Sequence, residues 1–249
     1  MARYDFRSPR LYVAQPLSAA AELKLDSGQA HYLRNVLRLK SGDGVLVFNG
    51  RDGEWWAALT DGGRRSATLT VSERTRAQTE ACDLHYLFAP LKHERLDYMV
   101  QKAVELGVSR LVPVMTRHTQ VTRVNRERMR ANAIEAAEQC GILTIAEVSE
   151  PIAIEQVAAG QRSDRLLVFC DEEAEVKDPV AALRAHCKDR LPPLAVLVGP
   201  EGGFADDERA TLLRLPNVVR LALGPRILRA DTAAVAALAL VQAVLGDWR

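Results

Sequence analysis

The chain is predicted to be an α/β protein, a parallel-sheet domain preceded by a small β-barrel. Three observations carry that expectation. Up to residue 71, short apolar runs alternate with Gly-rich turns, the grammar of a small barrel. From residue 84 onward, strand-length apolar runs alternate with helix-length amphipathic stretches, which points to a parallel sheet with helical crossovers. Near the C-terminus, residues 194–204 (LAVLVGPEGGF) and 221–232 (LALGPRILRADT) each pass from an unbroken apolar run into a Gly-Pro turn. Runs without a polar break read as strands buried on both faces.

Composition bounds the class. The 249 residues suffice for one large domain or two small ones, and 48% hydrophobic with 26% charged residues is the balance of a soluble globular chain. With a formal net charge of +1, nucleic-acid binding would have to come from local basic patches. Cys82, Cys140, Cys170 and Cys187 are widely spaced, and the N-terminal segment is polar and charged, so a reduced, cytoplasmic protein is expected. The longest apolar run, residues 233–245, contains Gln242 and falls short of the roughly 20 residues a membrane span needs.

In the N-terminal part, strands are expected at residues 11–13, 45–48, 55–59 and 67–71, separated by the turn signals SGDG, NGRDG and DGG. One helix interrupts them. Asp26 or Ser27 suits its N-cap, and Ala30, Leu33, Val36 and Leu37 fall at helical spacing. On that helix Arg34 and Arg38, four apart, would share one face; with Lys40, and with Arg64 and Arg65 on a later turn, they form either a phosphate-contacting face or an ordinary solvated one. Trp55 and Trp56 would point to opposite sides of a strand, one into the core. Residues 72–80 are polar without apolar period. Domains are therefore expected at 1–73 and 81–249, with a linker at 74–80.

In the second part, strands are expected at 84–89, 111–115, 166–170, 194–198 and 218–223. Helices are expected at 94–106, 132–140 and 179–186, after Asp206, and from Asp231 or Thr232 as N-cap to the C-terminus. Asp206, Asp207 and Glu208 suit a first helical turn, where the dipole favours negative charge. Residues 117–130 are basic, carrying Arg117, His118, Arg123, Arg126, Arg128 and Arg130. No phosphate loop, early dinucleotide fingerprint, nucleophile elbow or metal-ligand spacing occurs, so no metal is expected. Two Gly-Pro loops beside each other would form a crevice of bare backbone for a flat ligand, unless they are plain strand-to-helix turns.

Residues 198–204 (VGPEGGF) followed by 223–229 (LGPRILR) resemble the E-type ribosomal small-subunit RNA methyltransferases, which make N3-methyluridine in 16S rRNA and belong to the SPOUT class. Residues 31–43 (HYLRNVLRLKSGD), 101–107 (QKAVELG) and 135–141 (EAAEQCG) agree, so the resemblance spans nearly the whole chain. It implies a PUA-like barrel at the N-terminus, a C-terminal trefoil knot, a homodimer, and S-adenosylmethionine held by loop backbone. The implied cofactor residues are Leu197, Val198, Gly199, Pro200, Glu201, Gly202 and Gly203, with Leu223, Gly224, Arg226, Ile227 and Leu228. It gives weight to Arg34, Arg38, Lys40, Arg117, Arg123 and Arg126 as contacts to the 16S rRNA of the small subunit. For catalysis, Arg229 is expected to stabilise a uracil anion, and Asp231 to orient it, to take its proton or merely to cap the last helix. The chain departs from the pattern at Ala230, Asp231 and Ile142. Two alternatives stand beside N3 methylation: a knotted ribose 2′-O-methyltransferase, and a ribosome-binding factor without turnover.

Overall fold

Strands that alternate inward and outward residues build the first of two compact units in the computed structural model. The structure describes residues 7–61, 67–160, 162–175, 178–187 and 192–248; Arg64 and Arg65 lie outside them. The first unit takes in Met1–Glu80 and also Ala137–Ile145. Its strands are β1 (Arg10–Tyr12), β2 (Glu22–Lys24), β3 (Gly44–Phe48), β4 (Glu54–Asp61) and β5 (Ala67–Arg76), in the order β1-β3-β4-β5-β2. Val45, Val47, Ala57, Leu59, Leu69 and Val71 point into one core with Leu23 and Leu33. Trp55 packs against that core, while the Trp56 ring covers Gly44 so closely that a Cβ there would sit 1.7 Å from it. Residues 74–76, within the expected linker, are strand. Thr75 and Arg76 hydrogen-bond Glu54 across the sheet, which supplies partners that apolar packing does not.

The expected N-terminal helix is shorter and looser than its spacing predicts. α1 (Ser27–His31) starts at Asp26, whose Oδ1 accepts from Gln29 N at 2.8 Å while Gln29 returns the bond. It widens into a π-helical turn, Tyr32–Val36, and closes with Leu39 N donating to Leu33 O across Arg38. Arg38 stands at φ 58, a left-handed closure usually given to glycine. Arg34 and Arg38 therefore do not share a helical face.

The second unit holds β6 (Leu84–Phe88), α2 (His93–Glu105), β7 (Arg110–Met115), most of α3 (Arg126–Cys140), β8 (Glu147–Val148), β9 (Ile152–Ala153), α4 (Ile154–Gly160), β10 (Leu166–Cys170), α5 (Pro179–Arg184), β11 (Leu194–Val198), α6 (Asp206–Leu213), β12 (Val218–Leu221) and α7 (Ala230–Leu245). β8, β9 and α4 have no counterpart among the expected elements. All pairings in the sheet are parallel, in the order β12-β10-β11-β6-β7-β8, with β9 on the far end of β7. Every residue of β10 and β11 is buried, as a two-sided parallel sheet requires. The fold is thus the α/β class expected, a parallel-sheet domain after a small β-unit. α7 docks on α2, where Gln242, fully buried, donates to Leu106 O at 2.6 Å.

Candidate functional site

The sheet register sets the site. Phe88, Val198, Cys170 and Leu221 are mutual partners at the C-terminal ends of β6, β11, β10 and β12. The loops that follow therefore leave the sheet along one edge, where open parallel sheets bind ligands. Three of these loops, residues 170–172, 198–203 and 221–228, line a cavity of about 360 Å³ together with Ala230 and Ala233 of α7. That size is ordinary for a small-molecule site.

The loop after β11 is held from behind. A Cβ on Gly199 would lie 2.5 Å from the Phe204 ring, which packs edge-on against Phe169 in the core. Gly203 sits at φ +68, its Cβ position 2.5 Å from Glu172 Oε1. His118 Nδ1 faces the carbonyl oxygens of Gly202 and Gly203 at 3.0 and 3.2 Å. Carbonyls only accept, so Nδ1 carries the proton and donates. Glu208, buried in the first turn of α6, accepts from Ala205 N at 2.9 Å and from Arg117 N at 2.8 Å. The acidic start of α6 thus ties this loop to the segment after β7.

The loop after β10 contributes charge and then cancels most of it. Asp171 is fully buried and pairs with Arg220 at 2.6 Å and Arg209 at 3.3 Å. Arg209 also meets Glu173 at 2.9 Å. Glu172 remains half-exposed on the cavity wall. Burial pushes the Cys170 thiol up to about 12, so it is neutral at physiological pH. At Gly224, φ +100, no atom lies within 4 Å of a Cβ position, so the cavity is open against bare backbone there. Glycine-lined backbone beside the carboxylates of Glu172 and Glu201 fits a flat heteroaromatic ligand that carries positive charge elsewhere.

Of the expected cofactor residues, Val198, Gly199, Pro200, Glu201, Gly202, Gly203, Leu223, Gly224, Arg226, Ile227 and Leu228 line this cavity. Leu197 does not; its side chain is in the core with Leu167, Phe169 and Ala195, because it points to the other side of β11 from Val198. Arg229 and Asp231 flank the lining residue Ala230 without lining the cavity themselves. Arg229 is exposed at the N-cap of α7 and Asp231 is half-buried inside its first turn, so neither Asp231 nor Thr232 is the cap. Asp231 Oδ1 instead accepts from Thr232 N at 2.8 Å.

The basic residues separate. Arg34, half-buried, with Arg38 and Lys40, exposed, belong to the first unit, and Arg117, Arg123 and Arg126 to the second. Arg117 pairs with Asp207 at 2.6 Å, and Arg126 is occupied by Glu150 and by Val148 O. Arg123 is exposed. Two contributions were missed in the sequence: residues 170–172, whose only signal is that they follow a buried strand, and His118, which the basic run hides.

A family profile described as an RNA methyltransferase domain matches residues 78–242, and one described as an RNA methyltransferase PUA domain matches residues 25–72. The ribosomal RNA small subunit methyltransferase E of Rickettsia conorii is 31% identical, covering 94% of each chain. The protein of the same name from Neisseria gonorrhoeae, solved with bound S-adenosylmethionine, is 26% identical with a TM-score of 0.81 over 98% of this chain and 100% of that one. A methyltransferase of Legionella pneumophila, also solved with that cofactor, is 26% identical with a TM-score of 0.81 over 95% of this chain and 98% of that one.

Proposed function

Because this chain belongs to the ribosomal RNA small subunit methyltransferase E family, we propose that it transfers a methyl group from S-adenosylmethionine to N3 of a uridine in 16S rRNA. The observation that carries the reading is the cavity of bare glycine backbone, lined by eleven of the twelve expected cofactor residues: the six from Val198 to Gly203, and Leu223, Gly224, Arg226, Ile227 and Leu228.

The cofactor supplies an activated methyl on a sulfonium, so the remaining difficulty is the acceptor. Uracil N3 carries a proton at neutral pH, which must leave as the N3–carbon bond forms and the sulfur–carbon bond breaks. Glu172 and Glu201 provide negative charge at the wall where a cation is bound, and Arg226 sits at the cavity mouth to meet cofactor or RNA. Arg229 is assigned to the anion left on the uracil oxygens, and Asp231 to orienting the base or taking its proton; both stand one residue from the cavity wall at Ala230. Arg34, Arg38, Lys40 and Arg123 are assigned to RNA phosphates, with Arg117 and Arg126 able to join them only by leaving their carboxylate partners. The first unit acts as the PUA-like RNA-binding domain. A homodimer is part of the same reading, and Ile227, 93% exposed in the cavity lining, is one apolar side chain that a second copy would cover. Among the described residues no helix is long and apolar enough to cross a membrane, and a cytoplasmic site of action follows from the substrate.

The test is methyl transfer from labelled S-adenosylmethionine to small subunits lacking the modification, with nucleosides resolved by mass spectrometry. N3-methyluridine is the expected product, and Arg229→Ala is expected to lower turnover. A 2′-O-methyl nucleoside would move the protein to the sister chemistry, and cofactor binding without product would leave a ribosome-binding factor.

A further inference from the structure

β6 and β11 are neighbours in the sheet, yet the chain leaves them in opposite directions. From β6 it passes through α2 to β7 on one side; from β11 it passes through α6 to β12, beyond β10, on the other. Loops that diverge in this way leave a crevice between them, the position at which open parallel sheets take ligands. A second cavity of about 750 Å³ lies there, lined by Leu91, Lys92, Arg95, Gln120, Val121 and Glu201 among others. Glu201 also lines the cofactor cavity, so the two share a wall.

A methyl group moves between atoms held about 3–3.5 Å apart, so the acceptor has to come from a space contiguous with the donor's. The second cavity meets that condition through Glu201, and its walls bring together groups a nucleotide can use, two cations, a side-chain amide and apolar faces, alongside the carboxylates of Glu94 and Glu201. Arg95 is held only loosely. It faces Glu201 at 3.4 Å with both side chains near half exposure, 45% and 46%, and such a pair is weak and easily exchanged. Lys92 is the N-cap of α2 and gives no side-chain bond to the first turn, so the positive end of the helix adds to the same field.

We propose that this second cavity seats the acceptor nucleotide, with Lys92 and Arg95 holding its phosphate and Gln120 meeting the edge of its base. The proposal rests on the reading of the chain as an RNA methyltransferase. Arg95 then leaves Glu201 when the nucleotide arrives, and the carboxylate stays as the partition between donor and acceptor.

Uridine 5′-monophosphate is the probe, titrated into the full chain with S-adenosylhomocysteine present and followed by ligand-observed NMR. Lys92→Ala and Arg95→Ala are each expected to weaken it about tenfold, the loss of one charge-assisted contact. Arg95→Lys is expected to fall between wild type and Arg95→Ala. Calorimetric affinity for S-adenosylmethionine is expected to be unchanged in all three, and in methyl transfer to small subunits KM rises while kcat is kept. The proposal is overturned if the wild type does not bind the probe, if the alanine variants bind it as the wild type does, or if cofactor affinity falls in step. A wild type that holds the probe through Lys92 and Arg95 yet methylates no small subunits overturns the reading of the reaction and leaves the nucleotide site standing.

Discussion

Gly199 and Gly224 line one cavity but are glycines for different reasons. At Gly199 the obstacle is a side chain: a Cβ would meet the Phe204 ring at 2.5 Å, and that ring is locked against Phe169. At Gly224 the surroundings are open and the obstacle is the backbone angle of +100°. Both alanine variants are expected to lose about 1–3 kcal/mol and to bind S-adenosylmethionine more weakly. They part in a double mutant: Phe204→Leu restores some stability to Gly199→Ala, and no side-chain deletion restores Gly224→Ala. Denaturant melts with cofactor titrations decide it; recovery at both sites or at neither sinks the distinction. Cys170 supplies a second check at this scale. With its thiol held up to about 12, it is expected to resist iodoacetamide at pH 8 while the exposed Cys140 and Cys187 react. Peptide mapping that finds Cys170 alkylated at a comparable rate would contradict the burial.

The element that departs furthest from its sequence pattern is the helix after Asp26. Its apolar spacing is helical, but Leu33 is fully buried and the turn around it opens to a π-helix before closing through Arg38 in a left-handed conformation. A non-glycine residue there costs about 1–2 kcal/mol. Arg38→Gly is therefore expected to raise stability by about 1 kcal/mol. If the strain is kept to present a guanidinium to RNA, the same variant lowers affinity for small-subunit rRNA and reduces the salt dependence of binding by about one phosphate contact. A variant that is stabilised and binds RNA unchanged would make Arg38 a structural accident. Elsewhere the elements follow simple rules: β10 and β11 are apolar throughout because both faces are covered, and α6 begins with acids because its first-turn amides need acceptors.

At the largest scale, Glu54 closes the first unit. It bonds Arg10 at 2.9 Å and Arg76 at 2.8 and 2.7 Å, while Arg10 donates to the carbonyls of Ala137 and Glu138, at 2.7 and 3.1 Å, and lies 4.6 Å from the Phe48 ring centre. These contacts bring residues 137–145 into a unit otherwise made of the first eighty residues. Burial alone would raise the Glu54 carboxyl; the hydrogen bonds and charges of Arg76 and Arg10 outweigh it and hold the group below its usual 4.5. A depressed acid stabilises the fold above its unfolded value and stops doing so as pH falls through the folded one. Glu54→Gln is expected to cost about 3–5 kcal/mol at neutral pH, since two guanidiniums lose their counter-charge, and to flatten the loss of stability on acidification below about 4.5. Melting curves between pH 3 and 7 test both; an unchanged acid limb would remove Glu54 from the account.

Sequence by itself determined what local rules encode: the apolar runs of the central strands, the glycines where backbone turns sharply, the acidic first turn of α6, and the Gly-Pro loops that became two walls of the cavity. Those features report burial and backbone angle, which a residue and its close neighbours decide. Tertiary structure alone decided which strands lie side by side. The order β12-β10-β11-β6 recruited residues 170–172 as a third wall, placed β6 beside β11 so that a second cavity opened at Glu201, and turned Leu197 inward while Val198 faces the ligand edge. It also paired Arg117 with Asp207, ninety residues away, so that a basic run in one dimension is partly neutral in three. Strand order and ion pairing are long-range, and no spacing along the chain records them.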